Sequence, residues 1–344
     1  MDVTLARFRE LALQERLHSR TVYLRSLDLA VAALRGRTGI AELRSDRPCV
    51  VVPDLHARRD FLLRVLEHRL EERSLLELLS VGRVNLLCLG DGMHSEERGR
   101  ARWERAASLS LPGLIPASAL DVLDQEMVES LGLMQMVMEL KHFFPEHFHY
   151  LKGNHDQVMG HVTKFAPVVG EGRLVRAWIR DRFGEDFLQR YKLFEDLLPL
   201  MAIGRHLVAT HSAPGRAVSK NEIELRTLRA EKALCWTSNS RRARDGSYLF
   251  ETEENYRNFK EILRSLGRSG STWIIGHRAV DSDENGGLYR SQFKGRMIQI
   301  NRPDRYVIAV IPADGRFRPE LDVYDLERTD HLDRMAGLFG DHWA

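Results

Sequence analysis

Short apolar runs that end in Asp, Asn or His recur along the chain. Cys49-Val50-Val51-Val52 leads to Asp54-Leu55-His56, Asn85-Leu86-Leu87-Cys88-Leu89 to Gly90-Asp91, Leu207-Val208-Ala209-Thr210 to His211, and Trp273-Ile274-Ile275 to Gly276-His277. Such runs read as buried strands. A shorter one, His149 to Leu151, leads to Gly153-Asn154-His155-Asp156. Between them the apolar spacing is helical, over 61–79, 119–144, 174–182, 186–193, 222–234 and 254–266, which gives strand-helix-strand crossovers. Near the carboxyl end, 296–300, 306–311 and 321–324 are separated by Pro303-Asp304 and Asp314-Gly315, a pattern that predicts an antiparallel meander. Two facing sheets flanked by helices accommodate both patterns.

Residues 4–34 carry a further helical pattern before the first long strand, broken by Arg35-Gly36-Arg37-Thr38-Gly39. It is expected to pack on the sheet domain as a helical flange, with a dimerisation arm as the alternative. The segment 119–144 bears Met127, Met134 and Met138 on its apolar face. Methionines at that spacing are expected in the core rather than in a binding groove.

Composition narrows the class of partner. Across 344 residues, 51 basic side chains nearly balance 49 acidic ones, so no general electrostatic case for nucleic acid or an anionic membrane exists. No apolar stretch approaches the length of a membrane span, and the first ten residues lack the apolar core of a secretory signal. Cys49, Cys88 and Cys235 form no Cys-x-x-Cys pair and are expected as buried thiols in a reducing, cytoplasmic setting.

The polar blocks are the candidate chemistry. In an open α/β sheet, ligands bind outside the carboxyl ends of the strands, so donors placed after strand upon strand converge. A pair of divalent ions clamping a phosphoryl group needs one shared ligand, and a carboxylate can turn an oxygen to each ion. Asp91 is the candidate bridge. Asp54 and His56 complete the first ion's protein shell, while Asn154, His211 and His277 serve the second. Imidazole, carboxylate and amide without thiolate suit manganese, iron or zinc. His155, next to Asn154 but not itself a ligand, is placed to protonate a leaving oxygen.

At these residues the sequence resembles the calcineurin-like metallophosphoesterases, and most closely their phosphoprotein phosphatase branch, which reads Gly-Asp-x-His, Gly-Asp-x-x-Asp-Arg-Gly, Gly-Asn-His-Glu, His-Gly and Gly-His. Asp54, His56, Asp91, Asn154, His211 and His277 match its metal ligands, and His155 its catalytic histidine. Cys235-Trp236-Thr237-Ser238 is similar to the family's tryptophan-containing loop. The resemblance implies a four-layer αββα sandwich of two mixed sheets flanked by helices. It also implies two metal ions and hydrolysis by direct attack of metal-bound hydroxide, with His155 as general acid. The corresponding division is a helical extension at 1–47, a metallophosphoesterase domain at 48–326 and a helical tail at 327–344.

The chain departs from that pattern at Pro53, Asp156 and Ser212, and more seriously after Asp91, where Gly92-Met93-His94-Ser95-Glu96-Glu97-Arg98-Gly99 stands. Without a gap, His94 and Ser95 fall where the family has the carboxylate supporting the catalytic histidine and the phosphate-binding arginine. A three-residue insertion instead gives Glu97 and Arg98, and is preferred because it recovers both charges and the glycine. Catalytic roles are therefore expected for His155, Asp156, Glu97 and Arg98. Gly276-His277-Arg278-Ala279 lacks the second histidine of the wider superfamily, leaving the first ion three protein ligands. The long stretch from Asp91 to Asn154 leaves room for a specificity cap around 100–131.

Arg98, Arg58 and Arg278 are the expected phosphate contacts, with Arg59, Arg216, Arg241 and Arg242 as further candidates. The run Arg241-Arg242-Ala243-Arg244 also reads as a solvated loop, and His147 and His149 are poor ligand candidates. The leading expectation is a phosphomonoesterase acting on a phosphorylated substrate, phosphoserine and phosphothreonine proteins included. A dinucleoside polyphosphate hydrolase of the diadenosine tetraphosphate type is the alternative, and a non-catalytic scaffold the third.

Overall fold

The structure is a computed structural model that describes residues 4–328 apart from 71, 112, 282–284 and 315–316. The chain opens with α1 (Leu5–Leu13), α2 (Arg20–Leu34), β1 (Ile40–Glu42) and β2 (Cys49–Val52). It continues through α3 (Arg59–Glu67), a small hairpin of β3 (Arg69–Leu70) and β4 (Arg73–Ser74), α4 (Leu75–Ser80) and β5 (Asn85–Cys88). A 3-10 turn at Glu96–Gly99 runs into α5 (Arg100–Ser108), followed by α6 (Ala117–Phe143) and β6 (Phe148–Tyr150). Next come α7 (Glu171–Phe183), α8 (Glu185–Leu197), β7 (Met201–Ile203), β8 (Leu207–Thr210), α9 (Lys220–Glu224), α10 (Leu228–Cys235) and α11 (Glu253–Ser265). The last described elements are β9 (Thr272–Ile275), β10 (Arg290–Gln292), β11 (Met297–Gln299), β12 (Val307–Ile311), α12 (Pro319–Asp322) and β13 (Val323–Asp325).

The long strands form two mixed sheets, ordered β1-β7-β8-β9-β11-β10 and β13-β12-β2-β5-β6. Period-two alternation explains the layering. In β2, Val50 and Val52 face a helical layer that also buries Phe61, Leu131 and Trp178, whereas Cys49 and Val51 face the other sheet. In β9, Ile274 joins that inter-sheet layer while Trp273 and Ile275 pack outward on Leu234, Phe259 and Ile262 of α10 and α11. Three apolar layers between four structural ones are the αββα sandwich. Strands buried on both faces need apolar residues at every position, which is why they read as unbroken runs.

The helical flange packs on α6, α8 and α3, burying Phe8, Leu11, Tyr23, Leu27 and Leu34. It is two helices rather than one, because Gln14-Glu15-Arg16 offers nothing to bury and Ser19 begins a new helix. The extension to 47 is not wholly helical either. Ile40–Glu42 adds a strand that pairs in parallel with Met201–Ile203.

Three other expectations are corrected. The helical pattern over 61–79 is interrupted by the β3–β4 hairpin, with Ser74 and Glu77 forming a capping box that restarts the helix. The meander does not form. β11 pairs in parallel with β9 and belongs to one sheet, while β12 pairs antiparallel with β2 and β13 in the other, so the segment after Gln299 crosses between sheets. An apolar run buried on both faces carries no mark of which sheet it joins. The cap around 100–131 is instead core, since Met127, Met134, Met136 and Met138 of α6 are buried and Trp103 of α5 is 1% exposed. Beyond Arg328 the expected C-terminal tail lies outside the described residues, as does Gly315 of its preceding turn.

Because the two sheets carry different parts of the site described next, the layer between them fixes the site's dimensions. Leu87 is fully buried in that layer. Leu87→Ala is expected to lower stability by about 2–5 kcal/mol, read as a shift in urea midpoint at unchanged m-value.

Candidate active site

The site is built where strand ends keep pairing after the strands stop. Leu89 N–H donates to Val52 O at 2.9 Å, and the loops beyond continue through His56 N–H to Asp91 O at 2.6 Å and Ala57 N–H to Gly92 O at 2.8 Å. In the other sheet Gly276 N–H donates to His211 O at 2.9 Å. These tight turns put non-glycine residues in the left-handed region: His56 at φ 40°, Asp91 at φ 50° and His277 at φ 68°. Each such residue is strained by about 1–3 kcal/mol, and strain of this kind clusters where side-chain aim matters. The motif glycines follow from the same crowding, since a Cβ on Gly153 would sit 2.0 Å from Asp91 Oδ1 and one on Gly276 2.1 Å from Asp54 Oδ1.

The donors meet around Asp91. His56 Nδ1 is 3.1 Å from His94 O and His211 Nδ1 is 3.0 Å from Leu89 O, so each ring turns its Nε2 inward. His56 Nε2 lies 3.8 Å from both Asp54 Oδ2 and Asp91 Oδ2. His211 Nε2 lies 3.3 Å from Asp91 Oδ2, 2.9 Å from Asn154 Oδ1 and 3.2 Å from His277 Nδ1. Two ligand groups result, Asp54 with His56 and Asp91, and Asp91 with His211 and His277, the atoms of each within 4.8 Å of one another. Asp91 belongs to both. The donor set fits two divalent ions, because Asp54 and Asp91 are buried with no lysine or arginine among the described residues bonded to either carboxylate.

Electrostatics point the same way. Burial and the neighbouring Asp91 hold the Asp54 carboxyl up at about 7, against the pull of His211. Burial also works against Asp91, yet His211 and His155 keep its pKa below the usual carboxylate range. His211 is pushed up to about 9, burial being outweighed by Asp91 and Asp54. Without metal, therefore, a proton on His211 partly takes the place of the ions.

His155 sits beside this centre, its backbone N–H donating to Asp91 Oδ1 at 2.8 Å. Its Nε2 lies 3.1 Å from Glu96 Oε1, and the other Glu96 oxygen holds Lys164. The supporting carboxylate is thus Glu96, not Glu97, which points to solvent and pairs with Arg100 at 3.0 Å. The two residues of the ungapped register are both engaged within the loop, although the His94 ring also lies against His155 with centroids 4.8 Å apart. The His94 ring is stacked on Trp103 with centroids 4.6 Å apart, and Ser95 is held by the buried Glu126 at 2.7 Å from its N–H. Asp156 is buried beneath these loops. Its carboxylate accepts from the N–H groups of Asp91, Gly92 and Gly153 and from Tyr150 Oη, all within 3.1 Å, and so shapes the loops that aim Asp91.

A cleft of about 570 Å³ opens over the donors, lined by Arg98, Lys164, Trp236 and Arg278 among others. Arg98 Nη2 donates to His56 O at 2.9 Å and Nη1 meets Glu129 at 3.2 Å, leaving the side chain 48% exposed to the cleft. Arg278 is exposed and has no ion-pair partner among the described residues. Arg58 is 7% exposed, and its guanidinium is committed to the carbonyls of Asp54, Pro303 and Arg305. It braces the loop and also lines the cleft. Arg59 likewise binds the carbonyls of Leu11 and Gln14, Arg242 stacks on Tyr248, and Arg216 and Arg241 do not line the cleft. Glu96, Lys164 and Asn301 are among the cleft residues that motif reading missed. No spacing rule marks Asn301, whereas Glu96 is one residue from the carboxylate expected.

No protein-family model matches the sequence, and no curated relative is recognisable from it. Among solved structures, a protein serine/threonine phosphatase from Saccharomyces cerevisiae overlays with a TM-score of 0.52, covering 93% of this chain and 94% of that one at 12% identity. A cold-active protein-tyrosine phosphatase of a psychrophilic Shewanella species overlays more loosely, at TM-score 0.42 and 13% identity, over 86% of this chain and 84% of that one, and adds nothing to the assignment. The chain shares the fold of that serine/threonine phosphatase.

Metal loading must displace the protons that His211 and Asp54 carry when empty. Apparent affinity is expected to rise as pH increases from below 7 towards 9, with net proton release seen by titration calorimetry in buffers of different ionisation enthalpy. Uptake without proton release would contradict the assignment.

Proposed function

We propose that the protein is a dimetal phosphoesterase that hydrolyses phosphate monoesters, with phosphoserine and phosphothreonine among the candidate substrates. The observation that carries this reading is the convergence of donors from five separate loops on the shared Asp91, with the His155–Glu96 pair alongside and a cleft above. Two ions held by Asp54, His56, Asp91, Asn154, His211 and His277 would lower the pKa of a water and neutralise charge on the phosphoryl oxygens. Manganese, iron and zinc all suit the ligand set. A cytoplasmic setting fits three cysteines that are buried and unpaired. No helix among the described residues is long and apolar enough to cross a membrane.

The protein's own residues then divide the work. Arg278 and Arg98 face the cleft as bidentate donors for phosphoryl oxygens. His155 has Nε2 on Glu96, so its Nδ1, buried without a partner among the described residues, is the nitrogen left to carry a proton to the leaving oxygen. Burial pulls the His155 pKa down, but Asp91 and Glu96 outweigh it and raise it, which favours the protonated ring. Lys164 holds Glu96 from the far side, fixing the carboxylate that orients the ring.

Hydrolysis of p-nitrophenyl phosphate in manganese buffer is expected. His155→Ala should lower kcat by about 100-fold or more, and Asp91→Asn should abolish activity. A metal-loaded wild type that is inactive would overturn the proposal in favour of a scaffold. A higher kcat/KM for dinucleoside polyphosphates than for every monoester would move the substrate class to those compounds.

Glu96→Gln should lower kcat while Glu97→Gln leaves it unchanged. The reverse result would restore the three-residue register.

A further inference from the structure

With Ala279 where the wider superfamily has a second histidine, the first ion is reached by Asp54, His56 and Asp91 alone. Beside Asp54 lies Asn301, 2% exposed and lining the cleft. Its Nδ2 donates to Asp54 Oδ2 at 2.8 Å and to His277 O at 3.4 Å. Its main-chain carbonyl accepts from Val280 N–H at 2.8 Å, and Gln299 Nε2, two residues earlier, donates to Arg278 O. The end of β11 therefore grips the loop that carries His277 by both side chain and backbone.

Asp54 has two oxygens to place. Oδ1 accepts the backbone N–H of His277 at 3.0 Å, so Oδ2, on the side of His56, is the oxygen turned towards the first ion. A buried carboxylate next to another one tends to rotate away from it. A donor fixed on Oδ2 opposes that rotation, and Asn301 supplies it. The same amide reaches the His277 carbonyl, so one side chain joins the end of β2 in one sheet to the loop after β9 in the other. Asn301 Oδ1 is buried with no donor near it among the described residues, which packing alone would not favour.

We infer that Asn301 is a positioning residue for the first metal, holding Asp54 in ligating orientation and compensating for the absent second histidine. This rests on the dimetal reading above. Asn301→Leu keeps the volume and removes the donor, while Asn301→Ser is smaller and its hydroxyl is too short to reach both partners. Manganese bound per chain is measured by elemental analysis at limiting metal, free manganese by electron paramagnetic resonance, and folding by circular dichroism.

Wild type is expected to hold two ions. Each variant should hold one at a concentration that saturates wild type, with the weaker Kd raised by about 10-fold to 100-fold and the second ion restored by excess manganese. If the leucine variant does not fold, the serine variant decides. Two ions bound with wild-type Kd by the folded variants, even with a lower urea midpoint, would overturn the inference. A wild type that fails to take up two ions would overturn the dimetal reading instead.

Discussion

Two carboxylates buried side by side set the terms for the rest of this molecule. Asp54 and Asp91 are 0% and 1% exposed, and among the described residues neither carboxylate bonds to a lysine or arginine. Paired negative charge in a low-dielectric interior is strongly unfavourable unless positive charge is supplied. His211 is pushed up to about 9 and Asp54 to about 7, so both hold a proton more tightly than usual, and two divalent ions would compete with those protons. The surrounding structure keeps these acids from escaping that situation. Asp156 clamps the turn at Asp91, Gly276 and Gly153 leave room for the carboxylates, and the left-handed backbone at His56, Asp91 and His277 aims the side chains inward.

The sandwich is what makes such a confined site possible. One sheet contributes the loops after β2, β5 and β6, the other those after β8 and β9, and the apolar layer containing Leu87, Ala209 and Ile274 fixes the separation. The helices bear on the site indirectly. α6 presents Glu126 and Glu129 to Ser95, Arg102 and Arg98, so the loop carrying Glu96 is tied to a helix buried in the core.

The convergence of the proposed metal ligands was legible in sequence because each sits in a short block immediately after an apolar run, and β topology brings strand ends together whatever their separation. The loop after Asp91 was not legible to one residue. Glu96 and Glu97 are adjacent carboxylates, and only the turn beginning at Ser95 decides which faces His155. Nor did the sequence show that Arg58 is tied to carbonyls: a guanidinium beside a motif serves them as readily as phosphates. Asn301 carries no signal at all, since its partners lie 247 residues and 24 residues away. The segment over which β11 and β12 part company was equally silent, because strands buried on both faces lose the alternation that reports a side.

The central claim is that one carboxylate, Asp91, is shared by two ions. Electron paramagnetic resonance of the protein loaded with two equivalents of manganese tests it directly. A spectrum of exchange-coupled manganese, as expected for ions about 3.5–4 Å apart, and its replacement by uncoupled signals in Asp91→Asn, would agree. A wild-type spectrum of isolated manganese alone would contradict it.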